Sequence, residues 1–475
     1  MPDDEVVPDA VFPSGALPPL KYGNLPEPIP LRRMIGPSVI LLGAAIGSGE
    51  FVLWPYIVSH WGFGIWWACM LGLLTQFWVN MEIERYTLAT GESTVTGFVR
   101  LWKHWAWVFL LCNTIPWAWP GWAMGGATCL SFLVGGKPVI YGVGSMLLIG
   151  AVLSLGPVLY KTVERLQLVM VAALLVFILI LFVAVVRMDS IAQMASGAVR
   201  FGHIPEGIAL PFLLGAIAFA GAGGSLNLAQ SNYIKDKSYA MGAFIGRITS
   251  PITGEVEAIP DTGFLPRATA ENARRWKLWW RAANREHFIV FFLLGALSLI
   301  TLACIAHSTL AGLELKDGMD FIRQEGAVLE RAFGSLAKLG LWAAGFLVLF
   351  TTELAIMDMV ARVTADIVRT AWTRASDTWS LRKIYYICLW SEILVGCGIL
   401  LAGFREPIPL LVMSACLNGI VMAGYAFILL WLNLRVLPRW LGMGKIRFVA
   451  MVWACAFYGY FALIVLGDKI AAFLK

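Results

Sequence analysis

Eleven predominantly apolar runs, most of them about 20 residues or longer, follow one another along the chain. They cover residues 35–58, 63–85, 105–134, 138–158, 166–187, 208–234, 288–310, 339–361, 384–403, 408–432 and 447–471, and we number them spans 1 to 11. Within each run the apolar residues are continuous. A membrane β-barrel would instead alternate apolar and polar residues along ten-residue strands. The pattern therefore predicts an all-α polytopic membrane protein. With the N-terminus placed in the cytoplasm, 26 of the 36 Lys and Arg residues fall in segments on the inner side. The one long outer loop, 311–336, is acidic. That asymmetry follows the positive-inside rule and gives eleven membrane helices, N-terminus in and C-terminus out. An even number of spans would put both ends on one side and spoil the pattern.

Composition supports the same class. Of 475 residues, 59% are hydrophobic and 14% are Asp, Glu, Lys or Arg, against about 25% charged in soluble domains. A soluble enzyme and a disordered regulator are both excluded. The eight Cys (69, 112, 129, 304, 388, 397, 416 and 455) lie mostly inside apolar runs with no C-x-x-C pair, so neither a disulfide framework nor a zinc site is expected. A net charge of +6 reflects orientation in the bilayer and does not indicate a nucleic-acid partner. Residues 1–33 are Pro-rich and acidic at first, with no basic-then-apolar leader pattern, and are expected to form a disordered cytosolic tail. Residues 34–471 are then a single membrane domain. In the inner loop 235–285, Trp276, Trp279 and Trp280 recur at helical spacing among Arg274, Arg275, Lys277 and Arg281. That mixture predicts an amphipathic helix lying in the headgroup layer. The expected setting is a prokaryotic inner membrane. The sequence is compatible with a monomer and says nothing more of oligomeric state.

The candidate chemistry lies where the apolar runs are interrupted. Span 1 carries Gly47-Ser48-Gly49-Glu50 at its centre. Span 6 carries Gly221-Ala222-Gly223-Gly224-Ser225, followed by Asn227, Gln230, Ser231 and Asn232. Helices that break at corresponding positions of two five-span halves point to an inverted-repeat secondary transporter, with its site at the midplane. The halves would be about 35–187 and 208–432, with 447–471 as an extra helix. Close helix packing explains glycines such as Gly125 and Gly126, but it does not explain Glu50. A carboxylate at the centre of a membrane helix costs about 2.5–3.5 kcal/mol on insertion scales, so it needs a partner or a task. No nucleophile–base pair stands near a membrane surface, and an enzyme is not expected.

At these residues the chain resembles the Nramp (natural-resistance-associated macrophage protein) transporters, which are LeuT-type proton-coupled carriers of Mn²⁺ and Fe²⁺. The resemblance runs from Gly36-Pro37, at the start of span 1, to the last span. It includes the stretch Thr90-Gly91-Glu-Ser-Thr-Val-Thr-Gly97 and the count of eleven spans. It implies a 5+5 inverted repeat plus one helix, with spans 1 and 6 broken mid-membrane. The substrate positions depart from the family. Its Asp-Pro-Gly-Asn falls on Gly47, Ser48, Gly49 and Glu50, and its Met-Pro-His falls on Gly223, Gly224 and Ser225. Its second His falls on Gln230, its span 3 acid near Trp122, and its span 10 Gln near Ala415. The resemblance thus implies a site built from Gly47, Ser48, Glu50, Ala222, Gly223, Ser225, Asn227 and Gln230, with Glu50 and Asn227 as metal ligands. With no thioether or imidazole at these positions, a hard divalent cation such as Mg²⁺ or Mn²⁺ suits it better than a soft one. The cation is cargo, and no resident cofactor is implied. An organic amine or amino acid, walled by Trp54, Trp117, Trp119 and Trp122, is the alternative solute.

Four further polar residues are candidates for a second cation or proton site. Thr351 and Thr352 stand where LeuT-type sodium carriers place hydroxyl ligands, and Glu353 and Glu392 are carboxylates within spans 8 and 9. For Glu353 a hydrogen bond inside the bundle is an equal reading. Asp358 is expected to pair with Arg362 one helical turn on, and Asn418 to join helices.

Overall fold

The computed structural model describes residues 5–155, 159–246, 262–374, 376 and 378–473. Among the described residues, eight helical stretches are long and apolar enough to cross a membrane, and they include Pro138–Leu155, Lys161–Val185, Leu381–Leu401, Pro407–Val436 and Lys445–Gly467. Spans 1 and 2 run together in one such stretch, Pro37–Thr90. Span 3 is two shorter apolar helices, Trp105–Thr114 and Gly121–Val134, separated by a segment holding Pro116 and Pro120, neither of which can donate a helix hydrogen bond. Exposed apolar side chains such as Val183, Leu148, Leu394 and Leu463 coat the outer helices, as a lipid-facing surface requires.

Span 1 departs from the expected break. Pro37–Ala45 passes into a π-helical stretch, Ile46–Leu53, and then into Trp54–Trp61 without unwinding. The glycines here serve close approach. A Cβ on Gly47 would run into the Thr352 side chain, and one on Gly49 would run into the carbonyl of Phe219. The wider π coil absorbs the crowding that an unwound segment would otherwise have absorbed. Span 6 is interrupted: Leu210–Ala218 stops, and Gly224–Asp236 begins after five non-helical residues. Gly221, Gly223 and Gly224 take φ values of +144°, +75° and +55°, a region in which side chains with a Cβ are strained. Span 8 is one long helix, Ser335–Val368, which packs against spans 1, 3, 5, 6 and 9 and sits at the centre of the bundle.

The N-terminal segment, expected to be a disordered tail, is folded from Glu5 onward. Lys21–Gly23 pairs in parallel with Phe264–Pro266, and Val7, Phe12, Leu20 and Leu25 are fully buried. Their apolar side chains supply the burial that a Pro-rich composition alone does not suggest. The helix Ala270–His287, capped by Thr269, continues directly into span 7. Trp276 and Trp279 are buried, and Trp279 donates to the carbonyl of Pro26 (2.9 Å). Its indole face therefore packs on protein where the sequence pattern placed it against lipid. Arg274, Lys277 and Arg281 form the exposed face.

Candidate functional site

The break in span 6 is held by a single amide from span 2. Gln76 Nε2 donates to the carbonyl of Ala218, the last residue of the first half-helix (2.8 Å). Its Oε1 accepts from the N–H of Gly223, at the start of the second half (3.0 Å), and from Asn227 Nδ2 (3.3 Å). One buried side chain thereby satisfies backbone groups that the interruption leaves without helical partners. Sequence reasoning missed Gln76. The available signal was its place in an apolar run, four residues before Asn80 and eight before Glu84, on one helix face.

Aromatic rings wall the break. Trp117 stacks on Phe219 (centroids 5.7 Å apart), and Trp122 lies 5.4 Å from Trp117 and 5.8 Å from Phe219. Trp117 Nε1 donates to Ser225 Oγ (2.8 Å), and that hydroxyl in turn faces Met359 Sδ at 3.9 Å. A thioether, expected to be absent, is therefore supplied beside the break by span 8. Asn227 Nδ2 also donates to Tyr425 (3.1 Å). Asn227 Oδ1 and Asn418 Oδ1 are buried without partners, and Asn418 lies against Gly224, where a Cβ would overlap it. Ala222 and Gly223 are buried within the break itself.

Glu50 faces elsewhere. Its Oε2 accepts from Ser298 Oγ of span 7, and its buried Oε1 has no partner and lies toward Gly295. Because span 1 stays helical, the carboxylate keeps to the face turned toward spans 2 and 7, while Asn227 reaches toward Gln76 and Tyr425. Glu50 and Asn227 share no hydrogen bond, and among the described residues no group of three or more His, Cys, Asp or Glu is placed to hold a metal ion. Gly47 abuts Thr352, and the side chain of Ser48 lies outside the described residues. Gln230 joins a different group, with Nε2 3.4 Å from both Glu84 Oε2 and His287 Nδ1.

Of the second-site candidates, Thr352 Oγ1 donates to the span 1 carbonyl of Gly43 (3.1 Å), whereas Thr351 Oγ1 bonds back to its own helix at Leu347 and Val348. Glu353 accepts from the N–H of Ala123 (3.3 Å) in the first turn of Gly121–Val134, where a helix terminus favours negative charge. Both oxygens of Glu392 are buried without partners. Asp358 pairs with Arg362 at 2.8 Å and accepts from Tyr385 at 2.8 Å and Tyr233 at 3.2 Å.

A bundle of apolar helices wrapped around a discontinuous helix defines an integral membrane protein with the LeuT-type transporter fold. Crystal structures of the Eremococcus coleocola manganese transporter superpose on it with a TM-score of 0.66, covering 99% of this chain and 92% of theirs at 12% identity. A structure of the same transporter in complex with an aromatic bis-isothiourea substituted compound matches equally well. At that identity the likeness establishes the fold. No protein-family model matches the sequence, and no curated protein is detectably similar to it.

Proposed function

We propose that the protein is a secondary transporter that moves a hard divalent cation, Mg²⁺ or Mn²⁺, by alternating access around the break in span 6. The observation that carries this reading is a set of buried acceptor oxygens with no donor on spans 1, 6 and 10: Glu50 Oε1, Asn227 Oδ1 and Asn418 Oδ1. Buried polar atoms are rarely left unsatisfied, and carboxylate and amide oxygens are the ligands that Mg²⁺ and Mn²⁺ accept. In the conformation described, these oxygens do not form one shell. The reading therefore requires the half-helices of span 6 to move relative to span 1, as carriers of this architecture do. Of the two ions, Mn²⁺ better tolerates the thioether of Met359 as a neighbour. The manganese transporter that shares the fold is consistent with that choice.

The test is uptake of Mn²⁺ and Mg²⁺ into proteoliposomes, wild type beside Glu50→Gln. Loss of uptake from a variant whose thermal unfolding is unchanged supports the reading, and undiminished uptake removes it. An organic amine is the second reading, and the stacked wall of Trp117, Phe219 and Trp122 favours it because such faces bind cations. Thermal stabilisation by amines and by neither metal ion would select it.

A further inference from the structure

A cluster of buried titratable side chains away from the break in span 6 offers a place for a proton to bind. At the end of the bundle that carries the N-terminal segment, spans 1, 2, 6 and 7 enclose such a place. Ser38 Oγ lies 2.5 Å from Glu286 Oε2 and 2.9 Å from His287 Nδ1, and all three residues are at most 3% exposed. Phe77 and Phe291 stack on the imidazole with centroids 5.7 and 4.7 Å away, fixing its plane. Glu286 Oε1 and His287 Nε2 are buried without partners, which a closed structural network would not leave. The charged and titratable groups facing this cluster are Glu84 of span 2, Arg447 of span 11, and Lys237 and Tyr239 beyond span 6.

The hydroxyl of Ser38 has one hydrogen and two neighbours, so the chain has two arrangements. In the first, protonated Glu286 donates to Ser38, Ser38 donates to the lone pair of His287 Nδ1, and the imidazole carries its hydrogen on Nε2. In the second, Ser38 donates to the Glu286 carboxylate and a protonated Nδ1 donates to Ser38. Passing from the first to the second breaks the Glu286 O–H bond and forms a new one on Ser38. The old Ser38 O–H bond breaks as N–H forms on His287, leaving a carboxylate and an imidazolium, so protons and charge balance. Both arrangements hold one proton more than the unloaded cluster, a Glu286 carboxylate beside a neutral His287 with its hydrogen on Nε2, and that proton is the one taken up from outside. Only while Nδ1 is unprotonated can its single lone pair, shared with Ser38, also accept from Gln230 Nε2, 3.4 Å away. In the second, Gln230 keeps only Glu84. Gln230 stands on the second half of span 6, the element whose movement the transport reading requires.

We propose that Ser38, Glu286 and His287 form a proton-binding station that couples a proton to the position of the second half of span 6 through Gln230. The coupling rests on the transport reading above, whereas the proton shift between Glu286 and His287 does not. A purely structural role is available to Glu286, because the backbone N–H groups of Gly36 and Ser38 at the start of span 1 face its carboxylate. Ser38→Ala preserves that cap and removes the relay, and Ser38→Thr preserves both. In proteoliposomes with an internal pH dye, proton entry should accompany cation uptake. Ser38→Ala should lower proton entry by about tenfold or more while leaving calorimetric cation binding intact, and Ser38→Thr should restore it. Proton movement by Ser38→Ala equal to wild type, or cation uptake by wild type with no proton movement, would overturn the coupling. If folded wild type moves neither ion, the transport reading fails, and the station is decided without cargo by ¹⁵N NMR of labelled histidine. His287 Nδ1 should gain a proton on acidification, with the change lost in Ser38→Ala. An Nδ1 that holds one protonation state at every pH would overturn the station.

Discussion

Gln76 carries a larger share of the site than any residue that the sequence made conspicuous. Its amide is the covalently fixed substitute for the turn that span 6 lacks. Replacing it with Leu, of similar size, strands the Ala218 carbonyl and the Gly223 N–H in an apolar interior. Each such group costs about 1–3 kcal/mol. Gln76→Leu should therefore lower the thermal unfolding temperature in detergent and depress uptake, while Leu74→Met, on the exposed side of the same helix, should do neither. Equal stability of Gln76→Leu and wild type would mean that the break does not depend on this amide. Glu50 was legible from sequence because a carboxylate in an apolar run is costly wherever it points. Its partner was not legible, since Ser298 is 248 positions away and one hydroxyl among many carries no mark. Met359 was hidden for a similar reason: methionine in an apolar span reads as packing, and only the fold brings its sulfur to Ser225.

At the scale of elements, two glycine-rich interruptions that look alike in sequence resolve differently. The glycines of span 6 lie at positive φ and free the chain to leave the helix. Those of span 1 keep a helical course and let neighbouring backbone come close. Local composition does not separate the two cases, because the neighbour that each glycine meets is distant in sequence. The difference predicts a contrast in mutants. Gly49→Ala places a methyl on the Phe219 carbonyl and should push span 1 from the break, lowering both stability and uptake. Gly144→Ala, whose Cβ meets nothing within 4 Å in the helix Pro138–Leu155, should leave both unchanged or gain a few tenths of a kcal/mol from helix propensity, up to about 1. Thermal unfolding and uptake of the two variants side by side check this, and equal effects would contradict the packing role given to Gly49. The amphipathic pattern of Ala270–His287 was legible in the same limited way. It gives the faces of the helix, but not whether the apolar face meets lipid or protein.

At the scale of the whole molecule, the N-terminal segment ties the stretch after span 2 to the helix that leads into span 7. Arg100, after span 2, donates to the carbonyls of Ser14 and Pro18 (2.9 Å each) and pairs with Glu92 at 2.6 Å. Further along, Leu25 and Pro26 are held by Asn272 and Trp279 of the helix that leads into span 7. A Pro-rich stretch gave no sequence sign of this, because its partners, the short strand Phe264–Pro266 and the side chains of Arg100, Asn272 and Trp279, are distant in sequence. Burial would raise the Glu92 carboxyl, but the charge of Arg100, with hydrogen bonds from Arg100, Tyr86 and the N–H of Gly263, outweighs it and holds the group below its ordinary range. A group whose folded value is depressed contributes stability above its unfolded value, near 4.3, and loses it as pH falls through the folded value. The segment should therefore stay attached through mildly acidic pH and loosen only below the ordinary carboxylate range. Arg100→Ala removes one partner of a pair whose side chains are 1% and 5% exposed, and an uncompensated buried charge of this kind costs about 3–5 kcal/mol. In that variant burial, the largest of these causes, is opposed only by the hydrogen bonds from Tyr86 and the N–H of Gly263, so the sign should reverse: the carboxyl rises, and the segment should tighten as acid protonates it. Limited proteolysis of residues 5–31 against pH reads both curves. Wild type should become cleavable only in strong acid, whereas Arg100→Ala should be cleavable at neutral pH and regain protection on mild acidification. Parallel curves for the two proteins would show that the Glu92–Arg100 pair does not hold the segment in place.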